Sequence, residues 1–291
     1  MKRKKYFEGW YFREQSGNFT IAFIPELSYD EEGHMTGSLQ VVLPEKTWYF
    51  EYPHPVNMNL KDSLFVVLGK SVFTEACIHI DIEEPELSIK GDIYFDREPG
   101  ARFHVMGPLG LPLISKLMPC SHKIWAMEQE LSGELNICGK TFSFNGGKGY
   151  MEEDRGRTFP RTYFWSHCNW FGEKNLRITC SGVELSFAGE RGKFTGCFAC
   201  IDQNGYKVKL ATYLGAKVES FSDAEFCIRQ GRYVFEGWKM EGRPVILRSP
   251  REGKMGETTE EYVECTVRYK LSHGGETIFD EISQRASYEF R

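Results

Sequence analysis

The segment GGKGYMEEDRGRTFP, residues 146–160, places Glu152, Glu153 and Asp154 beside Arg155 and Arg157. Read as an extended strand, Tyr150, Glu152 and Asp154 share one face, and Met151, Glu153 and Arg155 share the other. Two carboxylates on one face of a closed barrel do not both ionise cheaply. Either one of them has a raised pKa, or a nearby arginine (Arg155, Arg157 or Arg161) compensates. The alternative is a solvated turn whose ion pairs contribute little.

A second segment, TYFWSHCNWF at 162–171, interleaves polar groups with bulky rings. As a strand it sets Trp165, His167, Asn169 and Phe171 on one face and Phe164, Ser166, Cys168 and Trp170 on the other. A mostly apolar wall carrying a few placed polar groups is what a ligand cavity needs. The same pattern also fits a core histidine and asparagine that are each hydrogen-bonded. His122, in MPCSHKIW, reads as a proton carrier or as an ordinary loop histidine. Glu8, between the aromatics of FEGWYF, can orient a ligand hydroxyl or pair with an arginine.

Other common chemistry is missing from the sequence. It has no GxSxG elbow, no P-loop and no GxGxxG leading into a helix. Cys197 and Cys200 form a CxxC without a second ligand pair at similar spacing, so no metal site is expected.

The elements that must carry these residues are strands. In ELSIKGDIYF, Leu87, Ile89, Ile93 and Phe95 alternate with polar neighbours. In YVECTVRYKL, so do Val263, Cys265, Val267, Tyr269 and Leu271, and in RASYEF, Ala286, Tyr288 and Phe290. Period-two alternation predicts half-buried strands. Turn signals separate them: DEEG at 30–33, NGG at 145–147, DQNG at 202–205 and SHGG at 272–275. The apolar stretch 107–120 carries Pro108, Pro112 and Pro119, which forbid a long helix there.

Many short strands with frequent turns predict an all-β sandwich or barrel class. A chain of 291 residues suggests two such units. FEGWYF at 7–12 recurs faintly as FEGWKM at 235–240, which hints at duplication. The boundary is expected near Asn145–Gly147, giving units 1–145 and 146–291.

The net charge of −5 argues against a dedicated nucleic-acid binder. The cysteine count is odd at nine, MKRKK is not followed by an apolar run, and no stretch reaches the length of a membrane span. These point to free thiols in a reducing compartment, the cytoplasm. Oligomeric state is not legible.

Taken together, these motifs resemble the tocopherol cyclase-like family. The resemblance runs in order through FEGWYF, PCSHKIWAMEQELSGEL (119–135), FNGGKGYMEEDRGRTFP (144–160), WSHCNWF (165–171) and LATYLGAKV (210–218). The family pattern at the central motif is close to Gly-x-Gly/Ala-Tyr-x-Glu-Lys-Asp/Asn-Trp-Gly, then Phe-Pro. Gly149, Tyr150, Glu152, Asp154, Gly156, Phe159 and Pro160 match it, and Cys120, His122, Asn169 and Phe171 fall on matching positions. Glu153 stands where the family usually has lysine, and Arg155 where it usually has tryptophan.

The resemblance implies two tandem lipocalin-like antiparallel β-barrels. It also implies acid catalysis without redox cofactor on a prenylated quinol or other hydrophobic isoprenoid-type substrate. Glu152 is then the first candidate acid and Asp154 the second, with His167 and His122 as proton relays. Trp10, Glu8, Tyr150, Trp165, Asn169, Phe171 and Arg157 are the candidate substrate contacts. The alternative is a non-catalytic lipocalin-like carrier, which Arg155 favours, because a guanidinium repels a developing carbocation. The basic run Lys2–Lys5 beside Tyr6, Phe7 and Trp10, with the apolar stretch 107–120, would also suit weak docking to an anionic bilayer.

Overall fold

The structure, a computed structural model, describes residues 4–57, 64–96, 119–187 and 192–291. The chain is all-β, two tandem lipocalin-like antiparallel barrels, and the described residues contain no α-helix. Lys2, Arg3 and residues 107–118, on which the bilayer expectation rests, lie outside the described residues.

The first sheet is built from β1 (Tyr6–Ser16), β2 (Phe19–Tyr29), β3 (Met35–Leu43), β4 (Lys46–Tyr52), β5 (Val56–Asn57), β6 (Phe65–Leu68), β7 (Ser71–Thr74), β8 (Cys77–Glu84), β9 (Leu87–Asp96), β10 (Cys120–Ile137), β11 (Lys140–Ser143) and β12 (Gly147–Gly156). Its order is β4-β3-β2-β1-β12-β10-β9-β8-β7-β6-β5, with β11 paired to β10. The sheet curls until β3 meets β6: a Cβ on Gly37 would lie 2.4 Å from Leu68 Cδ2. The inward side encloses a core that includes Trp10, Phe12, Phe23, Leu39, Phe73, Ile93, Leu131 and Met151.

The second sheet is built from β13 (Thr162–Cys168), β14 (Leu176–Phe187), β15 (Gly192–Gln203), β16 (Tyr206–Ala211), β17 (Lys217–Phe221), β18 (Glu225–Gln230), β19 (Tyr233–Gly242), β20 (Val245–Arg251), β21 (Lys254–His273) and β22 (Glu276–Phe290). Its order is β16-β15-β14-β13-β22-β21-β19-β18-β17, with β20 paired to β21. Its core includes Phe164, Cys180, Phe226, Phe235, Val267, Tyr269 and Tyr288.

Local signals fold as expected. Leu87, Ile89, Ile93 and Phe95 are buried together, as are the alternating residues Val263 to Leu271. The DQNG turn joins β15 to β16 with Asn204 and Gly205 both at positive φ, 52° and 82°. Two consecutive left-handed residues give the tight turn that matches strand twist, and asparagine and glycine adopt it most readily.

Two longer-range expectations are corrected. The compact units do not follow the cut at 145/146. The first comprises residues 1–102, 124–158 and 248–257, and the second the remainder. The reason is pairing: β12 runs antiparallel to β1, with Trp10 opposite Glu153 and Phe12 opposite Met151, so the strand after the NGG turn completes the first sheet. The FEGW echo is not a structural repeat either. Phe7 points away from the first core and Trp10 into it. In the second copy Phe235 is the core residue, while Trp238 faces outward beneath the Arg268 guanidinium. The two copies pair with non-equivalent strands, so opposite faces turn inward.

Candidate functional site

The first unit concentrates buried carboxyl groups on adjacent strands. Glu8 and Glu14 on β1, Glu26 on β2, and Glu152 and Glu153 on β12 are all buried. A carboxyl removed from water is costly unless it is hydrogen-bonded, paired or neutralised. Such groups, set among aromatic rings, are candidates for chemistry.

Strand alternation divides them between two faces. On the inward face lie Glu8, Trp10, Phe12 and Glu14 of β1, facing Arg155, Glu153, Met151 and Gly149 of β12. Glu153 accepts a hydrogen bond from Trp125 Nε1 at 3.0 Å. It also lies 3.5 Å from the guanidinium of Arg155, which is half exposed. Tyr6 donates to Glu8 at 3.5 Å.

Glu14 differs from the others. It has no exposed surface, and neither carboxyl oxygen has a hydrogen-bond partner among the described residues. Burial drives its pKa well above the usual carboxylate range, against a smaller opposing pull from Arg13. Burial therefore favours the neutral form of this carboxyl group, which lies on the apolar side of the sheet. Trp10 Nε1 and Gln129 Oε1, both buried, also lack hydrogen-bond partners among the described residues. Gln129 lies two residues along β10 from the core residue Leu131, so it shares that face.

On the outward face of the same strands, Tyr150 and Glu152 are buried next to each other, and the Tyr150 hydroxyl donates to the Glu152 carboxyl. Asp154 shares this face and is half-buried. The rings of Tyr11 and Tyr150 meet edge-on at 6.4 Å. The one-face reading of Tyr150, Glu152 and Asp154 holds, but that face is turned away from the first core. Trp10 and Glu8 point to the opposite side of the sheet, so the structure does not join them to Glu152. Arg157 is exposed, and its carbonyl accepts from Gly253 N–H at 2.9 Å.

In the second unit the candidates again divide. Trp165 and His167 face away from the core, with Thr179 opposite His167 and Ser181 opposite Trp165. His167 is fully buried, its Nδ1 3.0 Å from Thr179 Oγ1, and its ring lies 6.4 Å from that of Trp165. His122 stacks on Phe198, centroids 5.4 Å apart. Phe198 is opposite Ser181, so this histidine too lies on the outward side. Asn169 is buried just beyond the end of β13.

Phe171 corrects the shared-face expectation. It packs into the second core, its ring 6.0 Å from Tyr269, on the opposite side of the sheet from Trp165 and His167. The strand stops at Cys168, so alternation cannot be carried through to residue 171. The inward face holds Ser166, whose hydroxyl lies 2.6 Å from the Tyr269 hydroxyl and donates to the Ser287 carbonyl at 2.8 Å.

Cys197 and Cys200 fall on opposite faces of β15, because a spacing of three reverses the side of a strand. Burial pushes their thiols up to about 11 and about 12. All nine cysteines are free thiols. Among the described residues, no helix is long and apolar enough to cross a membrane.

Glu14 and Gln129 were missed by the sequence reading. The signal for Glu14 was available in the alternation of Glu8, Trp10, Phe12 and Glu14 through FEGWYFRE. Its neighbour Arg13 made it look like one half of an ion pair, but adjacent strand residues point to opposite faces.

No protein-family model and no curated protein sequence matches this chain. Two solved structures resemble it over nearly its full length. A protein from Nitrosomonas europaea assigned as AttH superposes with a TM-score of 0.51 at 11% identity, over 98% of this chain and 92% of its own. Kievitone hydratase from Nectria haematococca gives a TM-score of 0.46 at 10% identity, over 98% of this chain and 87% of its own. At such identities the AttH likeness bears on fold alone, and it agrees with the all-β architecture.

Proposed function

We propose that this chain is a tocopherol cyclase-like protein of lipocalin fold that binds a prenylated quinol or another hydrophobic isoprenoid-type molecule and acts on it by protonation, without a redox cofactor. The observation that carries this reading is Glu14, a fully buried carboxyl group whose neutral form burial favours, with no hydrogen-bond partner among the described residues, on the same face as Trp10 and Phe12. An acid kept protonated in an apolar setting can donate to an alkene carbon. Nearby aromatic faces stabilise the cation that forms. In a prenylated quinol the phenolic oxygen then closes a ring on the cationic carbon. Its proton returns to the carboxylate, so the net reaction is an isomerisation.

Glu152, hydrogen-bonded by Tyr150, is the acid that the family resemblance favours. It lies on the other side of the same sheet, so single substitutions separate the two assignments. The test is anaerobic, cofactor-free incubation with a prenylated hydroquinone and detection of the cyclised isomer by liquid chromatography and mass spectrometry. Wild type is expected to form product, and Glu14→Gln to lose roughly 100-fold or more in rate, the usual weight of a general acid. An unaltered rate in Glu14→Gln with a large loss in Glu152→Gln would move the acid to the outward face.

A second reading, a carrier without turnover, is favoured by Arg155. It lies on the Glu153 side of β12 with its guanidinium half exposed. A fixed cation there opposes a developing positive charge. Native mass spectrometry showing a retained apolar ligand, with no product from wild type, would support the carrier.

A further inference from the structure

We propose that a cavity of about 620 Å³ on the outward face of the first unit is a second, independent binding site, for a small amine carried on a hydroxylated frame. The volume lies within the ~300–1,000 Å³ usual for small-molecule sites. None of the candidate catalytic or substrate-binding residues discussed above lines it.

The floor follows from register. Ser38 lies opposite both Glu26 and Glu51, and Gln40 opposite Tyr49, so these side chains stand together on the face away from Leu39 and Val41. The cover is Gly253 and the start of β21, Lys254 to Gly256, and it is fixed in place. The Gln40 side chain donates to the Arg248 carbonyl at 3.1 Å and accepts from the Arg248 N–H at 2.7 Å. Glu252 N–H donates to Thr158 Oγ1 at 3.0 Å. Gly253, at φ +76°, passes so close to the main chain that a Cβ would lie 2.2 Å from the Tyr6 nitrogen. A site held this way loses little on ordering when a ligand enters.

The lining selects the ligand. Asp30 and Glu51 supply carboxylates, and hydrogen bonds from the His34 and neighbouring backbone amides hold Asp30 down to about 2. Two of the lining hydroxyls already give their protons to carboxylates. Ser38 donates to Glu26 at 3.1 Å, and Tyr49 donates to Glu51 at 3.4 Å. Their remaining lone pairs and the carboxylates make the wall rich in acceptors. Against them stand Lys254, which is exposed, and His34, whose Nδ1 lies 3.1 Å from Asp30. A ligand rich in donors and carrying positive charge complements that balance, and hydroxyl groups on its frame complement the serine and tyrosine oxygens.

The test uses the full chain at pH 7 and titration calorimetry with 2-amino-2-deoxyglucose. Glucose and the N-acetylated amino sugar serve as uncharged counterparts. The amino sugar is expected to bind at least tenfold more tightly than either, and Glu51→Gln to remove at least tenfold of that affinity. Glu51 is exposed, so the variant should keep the wild-type melting temperature; Glu51→Lys should abolish binding of the amine. Equal affinities for the three sugars would overturn the proposal. So would wild-type affinity in Glu51→Gln, or heat from calcium or zinc ions with none from the amine. No isoprenoid enters this experiment, so its outcome is separate from that of the proposed function.

Discussion

Glu14 lays its carboxyl group against Gly149: a Cβ at that glycine would lie 2.5 Å from Glu14 Oε2 and 2.8 Å from Leu131 Cδ2. The glycine that belongs to the GGKGYM motif is therefore the floor under a buried acid. Gly149→Ala should displace both neighbours and destabilise the fold by roughly 1–3 kcal/mol, the usual range for overpacking. Urea unfolding of Gly149→Ala, Glu14→Ala and the double variant reads the coupling. The double variant should lose less than the sum of the singles, and strict additivity would mean that the two do not touch.

Glu14 should also show a trade between stability and function. Its carboxyl group is buried without a hydrogen-bond partner among the described residues, a costly arrangement. Glu14→Met keeps the volume and removes the polar atoms. It should raise stability by about 1 kcal/mol or more while abolishing the proposed protonation. A less stable Glu14→Met with full ligand turnover would contradict both halves.

Glu26 makes a pH prediction. Burial outweighs the hydrogen bonds from Ser38 and Gln40 and raises its pKa from 4.5 to about 8. Between those values the folded protein holds a proton that the unfolded chain has released. The stability contribution is thus complete below about pH 4.5, falls as the pH rises, and is lost once the pH passes about 8. Glu26→Gln cannot ionise, so its melting temperature relative to wild type should climb steadily from pH 5 to pH 9. The full difference would be on the order of a few kcal/mol. A constant offset across that range would show that Glu26 does not titrate between the two states.

The thiols should divide by exposure. Cys138 is exposed, Cys77 and Cys227 are half-buried, and the other six are buried. Alkylation of the native protein, followed over time by intact mass, should add one label quickly, two more slowly, and the last six only on unfolding. Six rapid labels in the native state would show that the two cores are open to reagent.

Ser166 and Tyr269 form the polar contact inside the second core, 2.6 Å apart. Ser166→Ala leaves the Tyr269 hydroxyl buried without that partner and should cost roughly 1–3 kcal/mol. Adding Tyr269→Phe should recover part of the loss in chemical unfolding. No recovery would place the cost in packing alone.

Period-two alternation was legible along the chain because it depends on neighbouring residues only. A strand puts i and i+2 on one side whatever it pairs with. That is why Leu87, Ile89, Ile93 and Phe95 are found buried together, and why Tyr150, Glu152 and Asp154 share a face. The asparagine-glycine turn at 204–205 was legible for the same reason, since its backbone strain is local. Alternation names two faces, however, and does not say which one meets the core. That choice belongs to pairing over long separations. β12 joins β1 across more than a hundred residues of chain, which turns Met151 inward and Glu152 outward and carries residues 147–156 into the first unit. The end of β13 at Cys168 sends Phe171 to the opposite side from His167. Alternation already put Glu14 on the face of Trp10 and Phe12, but its burial against Gly149 was decided by pairing, because a carboxyl group is desolvated by everything folded around it and by nothing in its own tripeptide.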